Sequence, residues 1–340
     1  MFEKELHGIR GTAALAVLIG HVAGGLAEHI YSNPTAIEVG AGISRVGSFA
    51  VEFFFLISGI VIAQSLPRHT FSGFLKRRIL RIYPLFFFVS AIYVAGNLGL
   101  DIEPRKNDFL TIAENLFFLN FFSGKPYLSP NTWSIAYEMW FYVGAASLFA
   151  TMPAARSWPS LLCVGSITLW GALLLAKPLT AFFIMGVLLP APERSASLDN
   201  RWGTLAAILC AGVIVVVVGF GIDWPWGAFI LKFASATFLI QYLRTSSAIA
   251  GRCLLAPLTQ QLGTVSYSLY LLHPYVYRAL REAFERAQIF GEFPILGSGA
   301  FLIGTVAGSI GVAWLSYRTI ESLLYERLLS SVIYNRAPTP

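Results

Sequence analysis

The sequence predicts an all-α, polytopic transmembrane helical bundle of about ten spans, with both termini in the cytoplasm. Three observations carry that prediction. Of the 340 residues, 56% are hydrophobic and only 12% are charged, and the mean hydropathy of +0.66 lies well above that of a soluble domain. Mostly apolar windows, each long enough to cross a hydrocarbon core of about 30 Å as a helix, recur along almost the whole chain. The basic residues also sort by loop: with the N-terminus inside, fifteen Lys and Arg face the cytoplasm, eight face outside, and Lys232 lies within a span.

The first span, 9–28, follows the mixed charges Glu3, Lys4 and Glu5 and runs on without a small-residue cleavage site, so it is expected to stay in the protein. Spans at 46–65 and 82–99 flank the basic segment FLKRRILRIYP, which belongs at the cytoplasmic face. The segment FLTIAENLFFLNFF, 109–122, is too short and too polar to cross, since it holds Glu114, Asn115 and Asn120. It is expected to be interfacial or re-entrant on the outer side. Treating it as a span leaves twelve basic residues inside against eleven outside, which erases the charge bias. The remaining spans are expected at 132–151, 160–176, 178–191, 202–221, 226–243, 262–280 and 294–317, with 322–340 as a cytoplasmic tail.

No loop is long enough for a soluble domain, and no internal repeat of the transporter kind is visible. The chain therefore reads as one integral-membrane domain over 1–340, its core about 6–321, with any chemistry inside the membrane domain. A net charge of +6 does not point to nucleic acid, because no basic segment is interleaved with aromatic residues on a soluble domain. Cys163, Cys210 and Cys253 sit at no metal-ligand spacing, so no metal is expected.

Ionisable side chains at membrane depth are costly and mark functional candidates. His21, Glu52, Glu138, Lys232 and His273 qualify, although a lone buried polar group often only bridges helices, and Lys232 is left with that plainer reading. At about 1.5 Å per residue, His21 lies about 18 Å above the cytoplasmic start of its span, His273 about 16 Å, and Glu52 and Glu138 roughly 21 Å. These four share one layer. Arg10 stands eleven residues before His21, close to three turns, and so projects from nearly the same face about 16 Å below it. Arg78 and Arg81 stand at i and i+3 on one helix face at the cytoplasmic mouth of the third span, where two guanidinium forks suit a multiply phosphorylated ligand. Lys76 and Arg77 read more simply as positive-inside anchors. Ser58 and Ser134 read as packing residues rather than nucleophiles, and Gly59 as a point of close helix approach. Trp133 is either an interface anchor or an acceptor platform. A cationic cytoplasmic entrance below a Glu and His layer suits a cytosolic phosphorylated donor meeting an acceptor.

These residues resemble the membrane acyltransferase-3 family of bacterial O-acyltransferases. The likeness rests on Gly8, Arg10, Gly11 and His21, then VEFFFLISG at 51–59, RRILRIYP at 77–84, WSIAYEMWFY at 133–142 and GTVSYSLYLLH at 263–273, in that order. Three positions depart from it: His7 stands where an acidic residue is usual, Ala50 where Gly is usual, and no Pro follows Glu321. The resemblance implies a protein of the cell inner membrane that moves an acyl group, usually acetyl from acetyl-CoA, to a sugar hydroxyl of a surface polysaccharide, lipid-linked glycan or natural product. It implies that Arg10 and His21 form the essential pair and that Arg78 and Arg81 serve the CoA donor. Some members carry an added soluble esterase-like domain. Two-step delivery would then require a separate periplasmic partner here.

On this reading His21 is the general base for the acceptor hydroxyl, with Glu52 or Glu138 orienting it as a carboxylate does in a triad. An acyl-histidine intermediate is the chemical alternative. Trp133, Ser134 and His273 are the expected acceptor-binding residues. The rival function is a proton-coupled transporter or a flippase of a lipid-linked sugar, which also places Glu and His at mid-depth. A scaffold in a glycan assembly complex is the third reading.

Overall fold

The computed structural model describes residues 3–100, 103–151, 161–189, 200–222, 224–246 and 249–323. Among these residues every regular element is helical, as the hydropathy pattern predicts. In chain order they are α1 (Lys4–His29), α2 (Pro34–Ser65), α3 (Phe71–Leu100), α4 (Phe109–Leu116), α5 (Asn120–Ser123), α6 (Thr132–Thr151), α7 (Leu161–Ala176) and α8 (Thr180–Leu188). They continue as α9 (Arg201–Gly219), α10 (Pro225–Thr245), α11 (Ile249–Leu254), α12 (Pro257–Thr264), α13 (Ser266–Arg286), α14 (Ile289–Glu292) and α15 (Pro294–Ser316).

Among the described residues six helices are long and apolar enough to cross a membrane: α1, α2, α3, α9, α10 and α15. The expected spans 132–151, 160–176, 178–191 and 262–280 coincide over their described residues mainly with helices that are shorter or more polar, while 160, 190 and 191 lie outside the described residues. The helices α7 and α8 have 16 and 9 residues, while α6 carries Glu138 among its tyrosines and tryptophans. The window 262–280 is divided at Val265, between α12 and α13, where the Ser266 hydroxyl donates to the Gly263 carbonyl at 2.9 Å. The helix α2 starts twelve residues before its expected span, because Asn33 accepts from the Ala36 N–H at 3.1 Å and Pro34 opens the helix. Arg45, one residue before the expected span, is held by Glu38 at 2.9 Å and by the Gly219 carbonyl. The expected tail lies outside the described residues from 324 onward.

The chain groups into two compact units. The first comprises Met1–Ile60 and Phe182–Ala313, the second Val61–Ala181 and Trp314–Pro340.

In the first unit α1 lies directly on α12, and glycine makes that approach possible. A Cβ on Gly11 would stand 2.6 Å from the Gly263 nitrogen and the Thr259 carbonyl oxygen. Lipid offers helices no hydrophobic gain on association, so close packing of this kind supplies much of the cohesion. His7, the departure from the usual acidic residue, bonds Thr264 at 3.2 Å and so ties the same two helices together. At the base of α1, Glu3 pairs with the buried Arg244 of α10, Nε to Oε2 at 3.0 Å and Nη2 to Oε1 at 3.1 Å. The sequence places Arg244 among the simple cytoplasmic charges; the structure makes it an anchor of α1.

Gly59 behaves as the sequence suggests. A Cβ there would collide with the Phe183 carbonyl and stand 2.9 Å from the Gly186 Cα, beside the stacked rings of Phe55 and Phe183, 4.3 Å apart. Gly59→Ala is therefore expected to destabilise the protein by about 1–3 kcal/mol, the usual cost of overpacking. Gly96→Ala, whose Cβ would meet nothing within 4 Å, is expected to gain up to about 1 kcal/mol from helix propensity. Thermal unfolding of the two purified variants in one detergent checks the opposite signs.

In the second unit the 109–122 segment forms α4 and α5 with a break at Phe118, whose φ is 56°. Eight residues of α4 span only about 12 Å. Asp108 caps α4, accepting from the Thr111 N–H at 3.0 Å, and that bond holds its carboxyl below the usual range. The polar residues face inward: Asn115 donates to the Thr111 and Pro126 carbonyls and accepts from Asn120 and from the Leu128 N–H. Phe109, Leu110, Phe117 and Phe122 are exposed. The asparagines that make this segment look unlike a span thus satisfy the backbone of the loop behind it.

Candidate functional site

In the first unit the α1–α12 contact positions the chemistry. Because α12 leads through one residue into α13, seating it on α1 carries the SYSLYLLH stretch alongside the middle of α1. His21 Nδ1 and His273 Nε2 are 2.6 Å apart. The ring centroids are 4.9 Å apart with planes inclined by 24°. That separation exceeds the nitrogen contact by about two ring radii, so the rings meet edge to edge through a nearly in-plane hydrogen bond. On its other side His273 Nδ1 lies 2.9 Å from the Leu269 carbonyl oxygen one turn back. His273 is fully buried, whereas His21 retains some exposure. The two histidines assigned to one membrane layer are direct partners.

The position on His21 Nδ1 that the sequence reading gives to a carboxylate is filled by His273. With both ring nitrogens engaged and no exposed surface, His273 is placed behind His21 rather than where an acceptor contact was expected. Glu52 lies on α2, whose Phe54 packs on Tyr270 at 5.9 Å, and Tyr270 in turn lies 6.2 Å from the His273 ring. The Glu52 Oε2 atom is buried and has no hydrogen-bond partner among the described residues. Lys232 of α10 acts on Glu52 electrostatically and its Nζ lies 5.9 Å from the Phe49 centroid. The sequence left Lys232 with the plainer reading and did not pair it with Glu52. Its signal in the sequence was a lone cation at mid-span, and only helix adjacency brings it within electrostatic range of Glu52. Arg10 is half-buried on the unbroken helix α1, eleven residues before His21 as the sequence requires.

The second unit builds a different cluster. The Arg78 guanidinium carbon lies 5.2 Å from the ring centres of both Phe74 and Tyr142, and those two rings meet edge to face at 6.0 Å. The Tyr142 hydroxyl donates to Glu138 Oε1 one turn back on α6. Arg81 is exposed on α3, near enough for its charge to act at Tyr142. The structure therefore brings Arg78 and Glu138 together through Tyr142, with Arg81 one turn along α3, and fixes the guanidinium of Arg78 by aromatic contacts on α3 and α6. Ser134 is buried and donates to the Asn131 carbonyl at 3.1 Å, a local helix-end bond in keeping with packing. Trp133 packs edge to face on Tyr137 at 5.8 Å. Chemically, the first unit offers a partly exposed imidazole on α1, and the second a guanidinium fixed by two aromatic rings with a second, exposed one a turn away.

A family model described as an acyltransferase domain, that of the acyltransferase-3 family, matches residues 3–316. The chain is 25% identical to the acyltransferase MdmB of Streptomyces mycarofaciens over an alignment of 364 positions, which covers 94% of this chain and 90% of that protein. Over 158 positions it is 28% identical to Protein 2 in picA locus of Rhizobium radiobacter, covering 39% of this chain and 75% of that one. No solved structure matches.

Proposed function

The chain belongs to the acyltransferase-3 family of membrane acyltransferases, and from that premise we propose that it moves an acetyl group from cytosolic acetyl-CoA to a sugar hydroxyl. The acceptor class is a surface polysaccharide, a lipid-linked glycan or a glycosylated natural product. The observation that carries the reading is the partly exposed His21, held along α1 by a hydrogen bond with a residue of a second element. Family membership favours acyl transfer over the transporter, flippase and scaffold readings.

In this proposal His21 takes the proton of the acceptor hydroxyl as the oxygen attacks the thioester carbonyl. The new C–O bond forms, the C–S bond breaks, and the CoA thiolate leaves and recovers the proton from His21. Arg10, three turns below on the same helix, is assigned to the donor, and Arg78 with Arg81 to its phosphates. Glu52, under the field of Lys232, is assigned to steadying charge in the His21 layer, and Glu138 to fixing Tyr142 beside Arg78. Trp133 is assigned to acceptor binding. Mass spectrometry of surface glycans from cells with and without the gene tests the function: loss of an acetylated species on deletion supports it, and unchanged glycans in cells that express the protein overturn the glycan assignment.

The accompanying topology is ten spans in the inner membrane, both termini cytoplasmic, with 109–122 lying in the outer interface. The outward apolar side chains of α4 support that placement. Single cysteines introduced after Arg318 and beside Lys106 are expected to label from opposite sides of the membrane. Labelling from one side alone overturns this topology.

A further inference from the structure

We propose that His273 is a positioning residue that fixes the tautomer of His21, so that the Nε2 atom of His21 is the basic nitrogen. The inference rests on the reading of His21 as the base and specifies which atom acts and what holds it.

The argument runs outward from a backbone oxygen. The Leu269 carbonyl can only accept a hydrogen bond, so His273 Nδ1, 2.9 Å away, carries a hydrogen. His273 is fully buried, which disfavours a second proton and a positive ring there. Its Nε2 is then a bare lone pair. His21 Nδ1 lies 2.6 Å from that lone pair, so it must be the donor, and in a neutral imidazole the remaining nitrogen, Nε2, is bare. The in-plane meeting of the rings points the His273 lone pair along the His21 N–H. Without this bond, imidazole tends to keep its hydrogen on Nε2, which would present a donor where a base is needed.

During transfer the acceptor proton goes to His21 Nε2 and from there to the departing CoA sulfur. The proton on His21 Nδ1 stays in place, hydrogen-bonded to His273 Nε2, and the proton on His273 Nδ1 stays there, donated to the Leu269 carbonyl. His273 thus does for His21, as a neutral ring, the orienting part of what a carboxylate does in a triad, without placing a negative charge at membrane depth.

The test uses the full chain in lipid nanodiscs with ring-15N-labelled histidine. The protein holds five histidines, so the His21 signals are assigned by their loss in His21→Ala. The wild type is expected to show His21 protonated at Nδ1 and bare at Nε2. In His273→Gln, whose amide oxygen can still accept, that signature and the turnover should persist within about tenfold. In His273→Leu the proton should move to Nε2 and kcat should fall at least about tenfold with KM for acyl-CoA unchanged, a fraction of what a general base supplies. A His21 protonated at Nε2 in the wild type overturns the proposal without any variant, which decides the matter even should His273→Leu fail to fold. A folded His273→Leu that keeps both signature and kcat overturns it too. Normal turnover in His21→Ala instead rejects the base assignment itself, a failure distinct from these.

Discussion

Purified His21→Ala is expected to lose acyl transfer by at least about a hundredfold while still binding CoA, because a positioned general base contributes about a hundred- to ten-thousandfold. A sugar hydroxyl is too weak an acid to attack a thioester at neutral pH unaided, so the loss should fall on kcat. The substitution also leaves the buried His273 Nε2 without the partner it has at 2.6 Å, a cost of about 1–3 kcal/mol in stability. Thermal unfolding must therefore be measured beside turnover. The helix itself should survive, since its seat on α12 is made by Gly11 and Gly263, about three turns below. Near-normal turnover in folded His21→Ala would reject the catalytic assignment. Lost CoA binding in that variant alone would recast His21 as part of the donor site.

What the sequence could show of this site was height, and what it could not show was rotation. Helical rise and hydrocarbon thickness are nearly constant, so counting residues from a span end placed His21 and His273 in one layer, and the structure joins them directly. The same count placed Glu52 and Glu138 close to that layer. Yet Glu138 accepts from Tyr142 on its own helix, while Glu52 lies in the field of Lys232. Which way a side chain turns depends on the neighbour its helix packs against, and one sequence does not specify neighbours.

Glycines show the same division. Gly59 was legible as a point of close approach, but Gly186 as its counterpart was not, nor was the approach of Gly11 to Gly263 that aligns α1 with α13. Charge sorting gave Arg244 an expected side of the membrane but could not show its ion pair with Glu3. Helix ends and expected spans differ where polar residues find partners: Arg45 inside α2 with Glu38 and Gly219, and Ser266 at the α12–α13 junction with Gly263. Hydropathy counts such residues as unfavourable, whereas folding gives them partners.

Neutralising Arg78 and Arg81 together is expected to weaken acyl-CoA binding by at least about tenfold. Hydrogen bonds to charged groups contribute about 1.5–3 kcal/mol each, and about 1.4 kcal/mol is one decade of affinity. The two arginines should differ in what else they do. Arg81 is exposed, so Arg81→Gln should leave stability within about 0.5 kcal/mol of wild type and report on the donor alone. Arg78 lies over the rings of Phe74 and Tyr142 at 5.2 Å from each, and its loss should also cost about 0.5–2 kcal/mol of cation–π energy. Arg78→Lys separates the two effects, keeping the charge near the rings but removing the fork that holds two phosphate oxygens at once. Binding measured by titration at two salt concentrations supplies an independent check, because a phosphate contact weakens as ionic strength rises and the double variant should show a shallower dependence. If folded protein carrying Arg78→Gln and Arg81→Gln binds acyl-CoA as the wild type does, the phosphates lie elsewhere, and Arg78 is left as a packing cation between two aromatic rings.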